Sequence, residues 1–469
     1  MNQESIAKTL IASPYLEGIF TPLKEERTEY DLKTEGEIPS DLNGSLIFNA
    51  SNPAYKPKSF YSWFDGDGMV HSTSIENGKA KYINKFVKTK GFLEEQKKGK
   101  PIWDGIIGKI DETKEHGNMK DSSNTAIVRY NDILLSVWYL SGRAYRLDPN
   151  TMETMGEYDF GGNLKDYMAA HTKLDPRTGE LVFFNYNLYK PPYMNYGVIG
   201  KDNKVHFTPI HIKESSYCHD IAITKNYSIL IDLPLSWKMD SDSGKKQRRF
   251  LEFNQNRPAR FGVIPRLGTD KDIRWFEANP CYMFHVVNSY EENNKIILYG
   301  CRIDNPMPEK PNSRAPKEGT LSFAPVFHKW EFDLTTGNTK EEQLDEVYAE
   351  FPRINDEFAG EKYRYSYHGR FTPGVILQDA FIKYDRETNT KKIFEMPTGL
   401  YANEPVYVKS EKSNAEDGGY LLSYISTEKL KGQVWIFSAS SIEKGPIGKI
   451  HLPERLPPVF HGTWINRSN

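Results

Sequence analysis

Cysteine is scarce: 3 residues in 469, at positions 218, 281 and 301. Their spacing fits neither a thiolate metal site nor a disulfide framework. Long apolar runs are missing too. No window approaches the roughly eighteen apolar residues that a membrane-crossing helix needs. The opening Met1-Asn2-Gln3-Glu4-Ser5 has no basic stretch followed by an apolar one, so no secretory signal is read. Excess charge is also absent. With 61 Lys plus Arg against 63 Asp plus Glu, the net charge of -2 gives no electrostatic case for binding nucleic acid. These absences together predict a reduced, soluble, cytoplasmic protein. Amphipathic helical patterning of any length is lacking as well, which turns the fold expectation towards sheet.

Aromatic residues are abundant, at 13% with 28 Tyr and 25 Phe, and Gly and Pro punctuate them. One turn pattern recurs: an apolar or aromatic residue, Asp, two or three turn residues with Thr, then a polar residue. It occurs at Leu147-Asp148-Pro149-Asn150-Thr151, Leu174-Asp175-Pro176-Arg177-Thr178-Gly179, Phe332-Asp333-Leu334-Thr335-Thr336-Gly337 and Tyr384-Asp385-Arg386-Glu387-Thr388-Asn389. Asp caps its own turn, and Gly or Asn supplies the positive φ that closes a hairpin. Repeated hairpins suit the blades of a β-propeller. A double-layered sandwich shares the hairpins, but a radial array better brings distant segments to one axis. No Pro/Ser-rich linker divides the chain, so 1–469 reads as one domain, with about 1–13 a flexible N-terminus. The stretches starting at Glu94 and Lys409 read as solvated loops.

Four of the eleven histidines sit in distinct short words: Ala170-His171-Thr172-Lys173, Cys218-His219-Asp220-Ile221, Phe284-His285-Val286-Val287 and Phe460-His461-Gly462-Thr463. Four neutral imidazoles on one ion suit Fe, Zn, Cu or Ni. An octahedral ion so held keeps two open positions, enough for O2 and a substrate, which points to oxidative rather than hydrolytic chemistry. His116, His206, His211 and His451 have polar neighbours and read as ordinary surface residues; His71, His328 and His368 stay undecided. Asp65-Gly66-Asp67-Gly68 has too few spaced carboxylates for calcium and reads as a tight turn. Cys218 reads as a small buried residue.

The chain resembles the carotenoid cleavage oxygenase family from about residue 14 onwards. The words that carry the resemblance include Ser13-Pro14-Tyr15-Leu16-Glu17-Gly18, Trp63-Phe64-Asp65-Gly66-Asp67-Gly68, Tyr145-Arg146-Leu147-Asp148-Pro149, the four His words, Glu350-Phe351-Pro352-Arg353 and Asn403-Glu404-Pro405-Val406. The resemblance implies an all-β, seven-bladed β-propeller with a helix and loop cap over the active-site tunnel. It also implies Fe(2+) held by His171, His219, His285 and His461. Metal-bound imidazoles need their other N–H anchored, usually by a carboxylate. The family uses three glutamates for this, and Glu350 and Glu404 match two of them. The third should precede Tyr145, but Trp138-Tyr139-Leu140-Ser141 offers no carboxylate; the ligand left without a brace is His219.

The implied activity is Fe(II)-dependent dioxygenation that splits a conjugated C=C bond of a carotenoid or apocarotenoid into two carbonyl products, such as retinal. The partners are then O2 and a hydrophobic polyene. Family members that split stilbenes carry a Lys just before the missing glutamate; Trp138 or Tyr139 stands there, which favours the polyene. A lipid-soluble substrate calls for peripheral membrane contact, and Ile102, Trp103, Ile106 and Ile107, beside the basic 97–100 stretch, are the candidates. The alternatives are a stilbene- or phenylpropanoid-cleaving oxygenase of the same family, an inactive lipid-binding propeller, and a calcium-dependent propeller hydrolase. The four His words lack the axial carboxylates that the last requires.

Overall fold

The computed structural model describes residues 13–58, 61–106, 119–239, 249–310, 312–318 and 321–467. Its strands form seven blades around an axis. In chain order, the blade sheets are built on the ranges 126–157, 173–210, 222–278, 282–343, 349–395 and 406–451; the seventh combines 44–86 with 462–466. The 349–395 and 406–451 blades are joined into one ten-stranded sheet through the short strand Tyr401–Ala402.

The chain ends lock the ring twice. Gly462–Asn466 pairs with Gly44–Ser51, running from Phe48↔Gly462 to Gly44↔Asn466. Thr34–Gly36 completes the 406–451 blade by pairing with Pro446–His451. The first 12 residues lie outside the described set; Ser13 does not, being buried with its hydroxyl capping Tyr15.

The period-2 alternation of a strand explains how each blade glues two neighbours. On Gly44–Ser51, Leu46 and Phe48 pack with Leu422, Tyr424, Val434 and Ile436 of the blade on one side. Ile47, between them in sequence, packs with Leu134, Tyr145 and Leu147 on the other. Central strands such as Leu181–Tyr186 are therefore buried along their whole length.

The recurring Asp turns form as their chemistry dictates. Asp148 accepts from the backbone N–H of Asn150 and Thr151 at 2.9 Å each. Asp333 does the same for Thr335 and Thr336, and Asp385 for Glu387 and Thr388. Asp175 accepts from Arg177 N–H.

Over one end of the ring lie 3-10 turns, the hairpins Leu235–Met239/Arg249–Phe253 and Lys317–Glu318/Leu321–Ser322, and a nine-residue α-helix, Lys90–Lys98. The helix corrects the expectation of a solvated loop from Glu94. Thr89 caps its N-terminus through Phe92 N–H, Gly99 closes it at φ +65, and buried Glu95 ties it to Lys120. Asp65 and Asp67 act as backbone clasps, taking Ser62 and Ile106 N–H and Ala54 N–H respectively. No helix among the described residues is long and apolar enough to cross a membrane.

Candidate metal centre

Each blade brings one residue at or near the start of an edge strand to the hub, and six of the seven are candidates read from the sequence. His171 precedes Lys173–Leu174, and His219 precedes Ala222–Ile223. His285 lies in Tyr282–Glu292, Glu350 in Ala349–Arg353, and Glu404 precedes Val406–Lys409. His461 precedes Gly462–Asn466, and Thr125 precedes Ala126–Tyr130. Residues far apart in sequence thus meet because all seven strands run into the same hub.

Ring nitrogens of His171, His285 and His461 lie within 4.8 Å of one another. The His219 ring adjoins them, its centroid 4.6 Å from that of His171 and 5.1 Å from that of His285. A β-bulge between Met283 and Val286 turns His285 inward. Burial drives the imidazoles of His171 and His219 well below their ordinary pKa, and that of His285 to about 3. Neutral imidazoles with free lone pairs are what a metal requires.

Two carboxylates stand behind the ring. Glu350 Oε2 is 2.5 Å from His285 Nδ1 and accepts the Phe351 N–H at 2.6 Å. Glu404 Oε1 is 3.0 Å from His461 Nδ1, and its Oε2 accepts the Gly462 N–H at 3.0 Å. The two acids differ in their surroundings. Burial pushes Glu350 up to about 8. Burial also pushes on Glu404, but His461 and the Arg353 guanidinium, 3.9 Å away, outweigh it and hold the group below its usual range.

His219 has neither kind of support. Its Nδ1 is buried with no hydrogen-bond partner among the described residues. Where the sequence lacks a glutamate, buried Tyr139 places its ring 6.2 Å from that of His219.

The donor set fits a metal. The Nε2 atoms of His171 and His285 are buried with no hydrogen-bond partner among the described residues, while the Nδ1 of His285 and of His461 faces a carboxylate. Three converging imidazoles with the His219 ring beside them, and no thiolate, suit a borderline transition-metal cation rather than calcium. Cys218 stays buried, and burial raises its thiol.

Beside the imidazoles opens a small chamber of about 40 Å³, walled by Trp63, Phe64, Phe284, Phe323, Phe351 and Phe460 among others. Phe323 stacks on Phe284 at 4.8 Å, and Phe284 meets His219 edge-on at 4.9 Å. Phe351 is held at φ +53, a strained region for a bulky residue, and its ring comes within 5.4 Å of His285 and 5.3 Å of His461. Sequence reasoning missed Phe351, Phe284, Phe323 and Thr125. Phe284 and Phe351 adjoin His285 and Glu350, and Thr125 lies in the word Asn124-Thr125-Ala126; Phe323 carried no local signal.

The remaining histidines are structural. His71 bonds Tyr82, His368 bonds Ser366, His206 meets Gly268 O, His211 pairs with Asp270 and His451 with Glu35. His328 packs on Trp330; His116 lies outside the described residues. Among the membrane candidates, Ile106 is corrected: it is buried, its N–H bonded to Asp65 and its carbonyl to Arg249. Ile102 and Trp103 are half-buried, and Ile107 is outside the described residues.

Residues 20–466 match the family model described as retinal pigment epithelial membrane protein. The chain is 32% identical to carotenoid 9,10(9',10')-cleavage dioxygenase 1 of Arabidopsis thaliana, over 96% of this chain and 89% of the relative. It is 31% identical to isoeugenol monooxygenase of Pseudomonas putida, over 97% and 98% respectively. Among solved structures, cobalt-substituted Synechocystis apocarotenoid oxygenase superposes with a TM-score of 0.81 at 25% identity, covering 95% of this chain and 97% of that one.

Proposed function

The chain belongs to the carotenoid cleavage oxygenase family, and from that membership we propose that it splits a conjugated carbon–carbon double bond with O2, giving two carbonyl products. The observation that carries this reading is the hub itself: buried imidazole nitrogens with no partner among the described residues, opening onto an aromatic chamber.

In this reading His171, His219, His285 and His461 hold Fe(2+), which when bound supplies the site and the electrons that activate O2. The protein's own work is placement and exclusion. Glu350 and Glu404 accept the Nδ1–H of His285 and His461, fixing tautomer and ring direction so that Nε2 faces the axis. The chamber walls hold the alkene flat and keep water out. Their ring faces stabilise positive charge developing along a conjugated chain. No side chain is needed as general acid or base.

The substrate we favour is a carotenoid or apocarotenoid, with retinal a possible product class. A second reading, a phenylpropanoid alkene, draws on the isoeugenol monooxygenase relative. We place the protein in the cytoplasm, with peripheral lipid contact. Ile102 and Trp103 support this together with Met239 and Phe250, exposed on the hairpin that Arg249 ties to Gly105 and Ile106. Flotation with liposomes should fall for Phe250→Ser; unchanged flotation removes the contact.

The activity test incubates iron-loaded protein under O2 with panels of carotenoids, apocarotenals, stilbenes and phenylpropenes. Aldehyde or ketone fragments identified by mass are expected. Their absence across every panel defeats the proposal, and the panel that reacts separates the two readings.

A further inference from the structure

Asp220 has no part in the site described so far, yet it is buried at 4% exposure against three of the four histidine segments. Its Oδ1 accepts the N–H of Ile221 at 2.7 Å and lies 2.7 Å from the Lys173 ammonium. Its Oδ2 accepts the N–H of Val286 at 2.8 Å. Lys173 stands two residues after His171, Asp220 directly follows His219, and Val286 directly follows His285.

The backbone there needs such a tether. Residues 218–221 belong to no strand, lying between the isolated Ser216–Ser236 bridge and the two-residue strand Ala222–Ile223. The Nδ1 of His219 is also buried with no hydrogen-bond partner among the described residues. Glu350 and Glu404 each take an imidazole and a neighbouring backbone N–H together. Asp220 takes only backbone N–H groups and the Lys173 ammonium.

We propose that Asp220 is a positioning residue of the metal centre, setting the His219 ring by clamping its backbone to the His171 and His285 segments. The clamp stands in for the missing brace on the ring. A ligand must be held to within about half an ångström to bind well, and a buried carboxylate with three partners supplies that rigidity where no sheet ladder does. The proposal rests on the metal-centre reading above.

The test is titration of metal-free protein with Co(II), reading affinity and the visible ligand-field bands, with far-ultraviolet circular dichroism as the fold control. The wild-type chain should take up one Co(II), and His285→Ala should lose it. A wild-type chain that takes up none overturns the metal centre and this proposal together. Asp220→Ala should weaken Co(II) binding by roughly 10–100-fold and shift the bands, as expected when support behind a ligand is lost. Asp220→Asn, which keeps one carbonyl oxygen for the Val286 N–H, should recover part of the loss. Lys173→Met, at a partly exposed side chain, should give an intermediate loss. If Asp220→Ala and Lys173→Met both bind within twofold of wild type with unchanged bands, Asp220 positions nothing and this proposal alone falls. If Asp220→Ala does not fold, Lys173→Met decides: weakened binding supports the clamp, and wild-type binding overturns it.

Discussion

Replacing Glu350 by Gln changes one charge and almost no volume at a residue that is 1% exposed. The carboxylate faces His285 Nδ1 at 2.5 Å and the Phe351 N–H at 2.6 Å. A hydrogen bond to a buried charged acceptor contributes about 1.5–3 kcal/mol and a neutral one about 0.5–1.5. The exchange therefore costs roughly 1 kcal/mol of support for His285, or about a fivefold loss of metal affinity at high pH. The pH profile is the sharper signature. In the metal-free protein burial pushes Glu350 up to about 8, so its carboxyl carries a proton below that pH. Burial leaves His171, His219 and His285 already neutral in that range. A metal at His285 needs the carboxylate to accept Nδ1–H, so uptake below about pH 8 expels one proton from Glu350. Affinity should rise about tenfold per pH unit up to about 8 and then level off. Glu350→Gln has no such proton to expel, so its affinity should vary less with pH. The assay is competition for Co(II) against a chromophoric chelator between pH 6 and 9. A variant with wild-type affinity at pH 8.5 and a wild-type pH slope would refute the reasoning.

The same group marks stability. Glu350 has its folded pKa above the ordinary 4.5, so the stability it gives by holding a proton is complete below about pH 4.5 and is lost as pH rises through about 8. Urea unfolding of metal-free wild type minus Glu350→Gln, at pH 5 and pH 8.5, should show that loss; a difference independent of pH contradicts it. Asp232 is fully buried and pairs with Arg257 and Arg260, so Asp232→Ala should cost about 3 kcal/mol by taking this carboxylate from Arg260 and leaving Arg257 only the Glu214 carboxylate at 3.4 Å. Denaturant midpoints measure this, and a cost below about 1 kcal/mol would show that the pair is dispensable. Phe323→Ala removes a wall ring stacked at 4.8 Å on Phe284 and should raise KM roughly tenfold, through the lost apolar contact. Steady-state kinetics test it, and an unchanged KM takes Phe323 out of the substrate's path.

The hairpins were legible because their turns are local: an Asp carboxylate two or three residues from the N–H it caps needs no long-range information. The blade count was not. Edge strands at the axis such as Lys173–Leu174 and Ala222–Ile223 are two residues long and carry no pattern, and two blades share one sheet through Tyr401–Ala402. The His words and the two glutamates were visible through the resemblance, including the gap at Tyr139. Phe351 was invisible because a positive φ at a bulge depends on Glu350 catching its N–H from behind. Asp220 was overlooked because its partners are separated from it by 47 and 66 positions and meet only at the hub.

The ring closes on its last strand, and His461 stands at that strand's first step: its carbonyl accepts Asn49 N–H at 3.1 Å, its own N–H reaches Thr125 O at 3.2 Å, and Gly462 then pairs with Phe48. Closing the circle and delivering this nitrogen to the axis are one event. The imidazole has no fixed place at that position until residues 462–466 have paired with residues 44–48. A ring left one strand short would therefore be open and would also lack the His461 imidazole at its hub.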